Sequence, residues 1–332
     1  MAGPFHNNIR GGSSGAAGTS TFTPSGVVTG GIAWSTVPAG WIGLVRFEDG
    51  VTAELRYCYW NGTTLTRGAN AFVWSTSGAV LNLTSAATAS MVADGGEVQT
   101  HNGGTPWSGI FSVAGAATIL GFAAPVNTNI GTVGAAQALA TTNFLTEQPR
   151  VQLSSATTAN AQAGENMGTV PRVVHSTTAG RGGGEFVCRF GASQLPVGPR
   201  LFVGFSATTF TGVITDPSAP IANYAGFAKD AADTNIQFLT NSNAGAGTKI
   251  DTGIALVANG WYEASVWFDP GGGRMYGLLI RIDTGEIWYG STTTDIPANG
   301  ALMFGQLVGG LSATTGTAFV MQFGSMAIRT GG

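Results

Sequence analysis

The chain has 332 residues and a formal net charge of −3, and only 9% of its residues are charged, whereas a soluble domain usually has about 25%. This weak negative charge, without a Lys/Arg cluster interleaved with aromatic residues, argues against nucleic acid as a partner. No segment approaches the roughly 18 consecutive apolar residues of a membrane span, and the N-terminus lacks the basic start and apolar run of a secretion signal. We therefore expect no nucleic-acid partner, no membrane span and no Sec-dependent export.

The low charge also bears on assembly. With 52 glycines and few charges, the surface must be covered largely by Thr, Ser, Asn, Ala and Gly. A free monomer normally uses more charge to stay in solution, so such a surface is typical of faces that other chains cover. We expect an oligomer.

The first predicted domain covers residues 1–94 and consists of short strands at close spacing. A strand at 41–47 is followed by the turn Glu48-Asp49-Gly50 and a second strand at 51–60. Asn61-Gly62 then gives the strongest two-residue hairpin signal. This spacing predicts a small all-β sandwich or barrel.

The Gly/Ser-rich leader of this domain contains Phe5, His6, Asn7 and Asn8. These residues are either a frayed tail or a peptide that docks on another protein. We interpret them as candidate docking residues.

Residues 95–149 form a predicted connector rich in Gly, Ala and Thr. Within it, 135–145 is rich in helix formers and Pro149 would end a helix, so the pattern predicts one short helix there. Coiled-coil periods are absent.

The second predicted domain covers 150–332 and has eight to ten short strands separated by Gly, Asn, Ser and Pro turns, which predicts a jelly-roll sandwich. Its strongest pattern is a three-strand meander at 250–289. Alternation in Trp261–Phe268 places four side chains on the core face: Tyr262, Ala264, Val266 and Phe268. The opposite face carries Trp261, Glu263, Ser265 and Trp267.

Three tryptophans of the meander are candidate glycan-stacking residues, namely Trp261, Trp267 and Trp288. If the outer face is exposed, the indoles form a platform for sugar rings; if it packs on another sheet or subunit, they are core residues. Both interpretations are open at this point.

Two segments carry a family resemblance. The sequences VRFEDGVTAELRYCYWNGTTLTRG and AVLNLTSAATASMVAD, with Thr64-Leu65-Thr66-Arg67 in a hairpin, look like the N-terminal β-domain of tailed-bacteriophage appendage proteins. In the second half, GEFVCRFG, RLFVGFSA, GTKIDTG and YGLLIRIDTGE resemble concanavalin A-like (lectin-like) sandwiches of phage tail-fibre and head-fibre proteins. The acidic and asparagine metal ligands of plant lectins do not align, so metal-dependent sugar binding is not implied.

Four carboxylates of the meander, Glu263, Asp269, Asp283 and Glu286, could pair as the acid and nucleophile of a glycosidase. Turn geometry gives a simpler interpretation, because acidic side chains at turn starts bond the backbone. We expect no enzyme.

The remaining reactive residues are scattered. His6, His101 and His175 lie far apart in loop-like sequence, so neither a catalytic triad nor a metal cluster is expected. Cys58 and Cys188 fall in different predicted domains and are expected to be buried free thiols. We predict no cofactor and no metal.

Together these patterns and the resemblance imply a non-enzymatic structural protein of a bacteriophage virion. The expected assembly is a homotrimer in contact with other virion proteins, displaying the lectin-like half outward with a host surface glycan as a candidate ligand. Two alternatives stay open: a capsid decoration or head-fibre protein, and a polysaccharide-degrading tailspike.

Overall fold

A computed structural model gives the fold of the chain. It describes residues 10–13, 21–25, 33–37, 39–77, 79, 81–84, 86–91, 106–109, 128–130, 135–166, 173–208, 216–219, 223–242, 245–310 and 316–330. The candidate docking residues Phe5, His6, Asn7 and Asn8 lie outside this part of the chain, as does His101.

The described chain is built from β-strands. In chain order they are β1 (Arg10–Ser13), β2 (Thr21–Phe22), β3 (Pro24–Ser25), β4 (Trp41–Asp49), β5 (Thr52–Trp60), β6 (Leu65–Ser75), β7 (Thr88–Met91), β8 (Pro106–Gly109), β9 (Thr128–Ile130), β10 (Ala135–Gln137), β11 (Arg150–Ser154), β12 (Gln162–Asn166), β13 (Val173–Val174), β14 (Gly184–Gln194), β15 (Arg200–Ser206), β16 (Tyr224–Lys229), β17 (Asn235–Asn241), β18 (Thr248–Ala255), β19 (Trp261–Phe268), β20 (Met275–Arg281), β21 (Glu286–Thr292), β22 (Leu302–Gly310) and β23 (Val320–Thr330). Within the residues that the structure describes, the helices are two short 3-10 turns, Trp34–Thr36 and Phe144–Glu147. The predicted all-β class is therefore confirmed.

The contacts divide the chain into two compact units. The first contains Met1–Gly103 together with Thr284–Gly290, and the second contains Gly104–Asp283 and Ser291–Gly332. The described strands of the predicted connector, β8, β9 and β10, all pair with strands of the second unit. The predicted domain limits at 94 and 149 stay predictions.

The first unit contains an antiparallel sheet with the order β6-β5-β4-β7-β1-β3, in which β2 pairs with the other side of β6. One residue pair, Trp288 of β21 with Asn70 of β6, adds a parallel pairing. Asn61 closes the β5–β6 connection, because its side-chain oxygen accepts hydrogen bonds from the N–H groups of Thr63 and Thr64 at 2.8 and 2.7 Å. Gly50 supplies the positive φ of 62° in the β4–β5 turn. The buried core of the unit comprises Phe22, Trp34, Val37, Val45, Phe47, Cys58, Trp60, Leu65, Leu83, Ala87 and Ala89.

The second unit is a two-layer sandwich. Its front sheet has the order β10-β11-β23-β14-β19-β20, with β8 also paired to β23. Its back sheet has the order β18-β17-β16-β15-β22-β12-β9, with β13 paired to β22. All pairs in both sheets are antiparallel.

Aromatic side chains fill the space between the two sheets. Phe205 of the back sheet lies 5.8 Å from the ring centroid of Phe186 and 5.8 Å from that of Phe268 in the front sheet. A side chain at Gly277 would come within 2.7 Å of the Phe238 ring, so the glycine makes room for an aromatic group of the facing sheet. Burial of each such phenylalanine side chain stabilises the folded state by about 1.5–3 kcal/mol. The predicted sandwich is confirmed.

The core face of β19 follows the predicted alternation. Tyr262, Ala264, Val266 and Phe268 are all at most 2% exposed, because successive strand side chains point to opposite faces and this face meets the back sheet.

The back sheet is also buried on the face that points away from the front sheet. This second face carries a hydrophobic cluster of buried side chains, which comprises Ile130, Phe202, Tyr224, Ala228, Leu239 and Val308. The near-continuous burial of β15 and β16 has the same cause.

The helix predicted over 135–145 is wrong. Ala135–Gln137 instead forms β10, which pairs with β11, and the 3-10 turn begins only at Phe144. The Asn143 side chain caps that turn, since it accepts a hydrogen bond from the Thr146 N–H while the Thr146 hydroxyl accepts one from the Asn143 N–H. Polar residues that bond their neighbouring backbone compete with helix formation.

Candidate functional site

Two aromatic rings lie side by side on the outer face of the front sheet. Trp267 of β19 is in register with Tyr276 of β20 and, on its other side, with Glu185 of β14. Residues directly opposite each other in neighbouring strands share a face, so the three side chains form one row across the sheet. The hairpin loop 269–274 joins β19 to β20 and sets this register.

The two rings are nearly parallel. Their centroids are 5.5 Å apart and their planes differ by 10°, and both side chains are half-buried. A single half-exposed aromatic residue is ordinary on a protein surface. A stacked pair is different, because its rings are already held in place and lose little conformational freedom when an apolar ligand face packs on them.

The next row of this face is apolar. Val187 of β14 and Leu278 of β20 flank Ser265 of β19, and both aliphatic side chains are half-buried. The ring pair therefore continues into a partly exposed aliphatic strip along the strands.

Polar groups surround the ring pair. Burial raises the pKa of the Tyr276 hydroxyl, and the Asp269 carboxylate raises it further by its charge and its hydrogen bond, while the Arg274 charge lowers it. Arg274 Nη1 donates a hydrogen bond to Ser291 Oγ at 2.9 Å. A hydroxyl, a carboxylate and a guanidinium thus lie beside an aromatic surface, which is the combination that orients a hydroxyl-rich ligand.

Trp261 is not an exposed stacking residue, although the alternation allowed it. It is 2% exposed, because its indole fills the space above Gly191 of β14 and Gly324 of β23. The platform interpretation is wrong for Trp261, and the core interpretation holds.

Trp288 is also buried, at 5% exposure. Its indole lies over the backbone of Gly290, and its backbone pairs in parallel with Asn70 of β6 inside the first unit. The platform interpretation is therefore wrong for Trp288 as well. Of the three predicted tryptophans, Trp267 alone is partly accessible, and its binding role stays a prediction.

The carboxylates that could form a glycosidase pair have structural contacts. Glu263 forms an ion pair with Arg189 across the β14–β19 ladder. Glu286 accepts a hydrogen bond from the Thr284 hydroxyl at 2.8 Å. Neither contact is a catalytic arrangement by itself.

Asp283 fixes the turn after β20. Its carboxylate accepts hydrogen bonds from the Trp261 N–H at 3.1 Å and from Arg281 Nη2 at 3.0 Å. This agrees with the turn interpretation of the acidic residues. The absence of an enzymatic activity stays a prediction.

His175 is fully buried directly after β13. Its Nδ1 lies 3.3 Å from the carbonyl oxygen of Ala298 and its Nε2 lies 3.2 Å from that of Gly272. No sequence pattern predicts these contacts, because both partners are backbone atoms more than ninety residues away.

The two cysteines are free and buried. Burial raises the pKa of both thiols, those of Cys58 and Cys188, which makes the reactive thiolate rare. Among the described residues, no three His, Cys, Asp or Glu side chains are grouped so that they could hold a metal ion. None of the helices in this part of the chain has the length and apolar character of a membrane span.

The first unit contains a pocket of about 350 Å³ that sequence reasoning missed. It is lined by Thr23, Pro24, Ala33, Trp34, Ser35, Trp60, Gly62 and Thr63. Both indoles are nearly inaccessible, since Trp34 and Trp60 are 2% and 3% exposed, and their N–H groups donate to the carbonyl oxygens of Ala89 and Val37. The pocket is therefore lined by small hydroxyl-bearing side chains together with apolar groups.

No protein-family model matches the sequence. A search of curated proteins gives no match either. Among solved structures, the chain is similar to peanut lectin with a nine-residue peptide, at 12% identity over 62% of this chain and 91% of that chain, with a TM-score of 0.41.

Two other solved structures are similar to a comparable degree. A protein of unknown function from Shewanella oneidensis MR-1 has 16% identity over 72% of this chain and 95% of that chain, with a TM-score of 0.39. A conserved carbohydrate esterase from the Shiga toxin-encoding bacteriophage phi24B has 14% identity over 62% and 90%, with a TM-score of 0.36. At TM-scores below 0.5, these similarities define neither a fold family nor a function for this chain.

Proposed function

We propose that the protein is a carbohydrate-binding structural protein and that the Trp267–Tyr276 pair is its binding surface. The observation that carries the proposal is the near-parallel, half-exposed stacking of the two rings at 5.5 Å on the outer face of the sandwich. The C–H faces of a sugar ring pack well on such a surface. The neighbouring Asp269 and Arg274 side chains can hydrogen-bond the hydroxyl groups of the same sugar.

In this proposal, the protein binds its glycan without cleaving it. Glu263, Asp283 and Glu286 each contact a neighbouring side chain or backbone group, and the Asp269 carboxylate helps to raise the pKa of the Tyr276 hydroxyl. A glycosidase needs one carboxyl group as acid and a second at a defined distance across the scissile bond. The proposal assigns none of the four to that role.

We further propose that the protein belongs to a bacteriophage particle, as a homotrimeric fibre or tail appendage. The support is the resemblance of its two halves to phage appendage domains and its low charged fraction of 9%. In this proposal, residues 1–94 attach to other virion proteins, with Phe5 to Asn8 as docking residues, and the lectin-like half at 150–332 faces a host surface glycan.

The binding proposal is tested by titrating purified protein with polysaccharides of bacterial surfaces and measuring affinity by calorimetry. Trp267→Ala should weaken binding by about 1 kcal/mol or more, which is at least roughly fivefold. The matched control is Val197→Ala, which removes a side chain that is 90% exposed elsewhere in the second unit. Equal affinities for Trp267→Ala and the parent protein would refute the proposed surface.

The particle proposal is tested separately. Deleting residues 1–12 should give a folded protein that is missing from purified particles, and sedimentation should give a trimer. A stable monomer of 33.7 kDa at micromolar concentration would refute the assembly.

A further inference from the structure

The outer face of the front sheet has a low point beside the ring pair. Ser265 lies two residues before Trp267 in β19 and therefore shares its face. The residues opposite Ser265 in the neighbouring strands are Val187 of β14 and Leu278 of β20, and the next residue of β19 on this face is Glu263. Ser265 has the shortest of the five side chains, and the four longer ones surround it. These five residues form what we call the Ser265 depression.

The strand register gives the Ser265 depression its width. Neighbouring strands lie about 4.7–4.9 Å apart, so the backbones of Val187 and Leu278, two strand spacings apart, are separated by roughly 9.5–10 Å. Carbon atoms in van der Waals contact are about 3.5–4.0 Å apart, so a methyl carbon that touches a wall on each side needs about 7–8 Å between the walls. A methyl group therefore fits between Val187 and Leu278.

The walls and the floor of the depression differ chemically. Val187 and Leu278 are half-buried aliphatic side chains, so an apolar group placed between them is removed from water. The floor is the hydroxyl of a residue that is 7% exposed, Ser265, and a hydroxyl both donates and accepts hydrogen bonds. Apolar walls above a hydrogen-bonding floor match a ligand group that carries a methyl group and a polar atom side by side.

The far end of the depression carries an ion pair. Glu263 closes this end, and Arg189, which lies opposite it in β14, forms an ion pair with its carboxylate. The two charges together have no net charge. This end of the depression therefore favours a neutral ligand group over an ammonium or a carboxylate group.

The depression lies at a fixed distance from the ring pair. Residues two apart in a strand are separated by about 6.6–6.8 Å, so the row that contains Ser265 lies one such step from the row that contains Trp267 and Tyr276. An acetamido substituent on a sugar ring that stacks on the two aromatic rings reaches over this step, because its methyl group lies beyond the amide. A hydroxyl substituent at the same position is too short to do so.

We propose that the Ser265 depression is a specificity-determining subsite for the acetamido group of an N-acetylated sugar whose ring stacks on Trp267 and Tyr276. The methyl group packs between Val187 and Leu278, and the Ser265 hydroxyl donates a hydrogen bond to the acetamido oxygen. This inference names the ligand class of the proposed binding surface and rests on that function. A sugar with a hydroxyl group at the same position leaves the depression filled by water.

The first test compares two neutral oligosaccharides on the unmodified protein. Chitotetraose and cellotetraose have the same linkage and the same ring stereochemistry, and they differ in that each sugar of chitotetraose carries an acetamido group in place of a hydroxyl. Calorimetry should give at least about fourfold tighter binding of chitotetraose, which is the effect of removing one methyl group from water. Equal affinities, or tighter binding of cellotetraose, would overturn the inference.

A variant that fills the depression locates this preference. Ser265→Val places an aliphatic side chain between the two walls, so it should remove the difference between the affinities for chitotetraose and cellotetraose. Ser325→Val is the matched control, because Ser325 lies opposite Arg189 on the same face of the sheet and outside the depression, and this variant should keep the preference. A preference that survives Ser265→Val would overturn the inference.

Nuclear Overhauser effects give a readout that needs no variant. With chitotetraose bound, the acetamido methyl protons should show contacts to the methyl groups of Val187 and Leu278. Contacts to the Trp267 and Tyr276 rings alone would overturn the subsite and leave the proposed binding surface in place. If neither oligosaccharide binds, the subsite is also overturned, and the titration with bacterial polysaccharides still decides the proposed function.

Discussion

The indole of Trp261 occupies the space that a side chain at Gly191 would need. A Cβ atom at Gly191 would lie 2.9 Å from Trp261 Cε3 and 2.5 Å from both Leu145 Cδ1 and the carbonyl oxygen of Gly260. The outer face of the front sheet is closed at this end by an aromatic ring that fits only because the neighbouring strand has no side chain there.

Gly191→Ala should therefore destabilise the second unit by about 1–3 kcal/mol, because an added methyl group in a packed site forces the indole or the backbone to move. Urea unfolding followed by tryptophan fluorescence measures the loss. Gly316→Ala is the control, since a Cβ there meets nothing within 4 Å and alanine restricts the unfolded chain. Parent-like stability of Gly191→Ala would show that the indole is not packed as described.

Glu54→Gln should destabilise the first unit by about 3–5 kcal/mol, because it removes the negative charge from a buried cluster of two guanidinium groups. Glu54 Oε1 lies 2.7 Å from Arg67 Nη2 and 3.5 Å from Arg56 Nε, and all three side chains have 0% exposure. Burial lowers the pKa of Arg56, and Glu54 opposes that shift.

The control for this cluster is Glu48→Gln. Glu48 forms an ion pair with Arg46, in which both side chains are about half exposed, and such pairs contribute at most about 1 kcal/mol. The thermal unfolding midpoint of Glu54→Gln should lie clearly below that of Glu48→Gln. Similar midpoints would mean that the buried charge contributes no more than a surface one.

Stability should fall between pH 10 and pH 12 because of Tyr224. Burial, together with the charges of Asp230 and Asp295, raises the pKa of its hydroxyl to about 12, although the hydrogen bond from Asn241 opposes the shift. The unfolded chain releases this proton near pH 10 and the folded chain near pH 12, so the folded state binds more protons in between and loses stability as the pH rises.

Tyr224→Phe should reduce this alkaline loss. The measurement combines tyrosinate absorbance with urea unfolding at several alkaline pH values. If the stability of Tyr224→Phe falls with pH as steeply as that of the parent protein, Tyr224 is not the cause of the alkaline loss.

Asp216 should contribute stability that is lost in acid. Burial raises the pKa of its carboxyl, but the hydrogen bonds from the Ala231 N–H and from Arg200, with the charges of Arg200 and Lys249, outweigh burial and lower it. A lowered folded pKa means that the stabilisation is present above the unfolded pKa, near 4, and disappears as the pH falls through the folded value. Asp216→Asn and Arg200→Gln should each flatten the acid side of a stability curve measured by urea unfolding. A steep acid side in both variants would contradict this assignment.

The period-two pattern predicted the core face of β19 correctly. Every second residue from Tyr262 to Phe268 is buried, because successive strand side chains point to opposite faces and this face meets the other sheet. The same pattern could not predict what covers the other face. Trp261 and Trp267 lie on that face at equivalent positions, yet the first is covered and the second is partly accessible. Two glycines, Gly191 of β14 and Gly324 of β23, make room for an indole at one end only.

The candidate site was predictable in part. Trp267 was visible as an aromatic residue on an outer face, and Tyr276 was visible in the following strand. Their stacking depends on the register that the loop 269–274 imposes, which strand patterns do not determine. His175 was not predictable as a loop contact, because its partners are carbonyl oxygens that any residue provides.

The first unit is discontinuous in the sequence, and this matters while the chain is being synthesised. Residues 284–290 emerge from the ribosome about 180 residues after Gly103, which at roughly 5–20 residues per second is a delay of about 10–40 s. During that time Tyr57 lacks its ring partner Tyr289, and the backbone near Asn70 lacks its pairing with Trp288. Until residues 284–290 emerge, this part of β6 lacks a backbone partner, and an unpaired strand edge is a site at which another chain can pair.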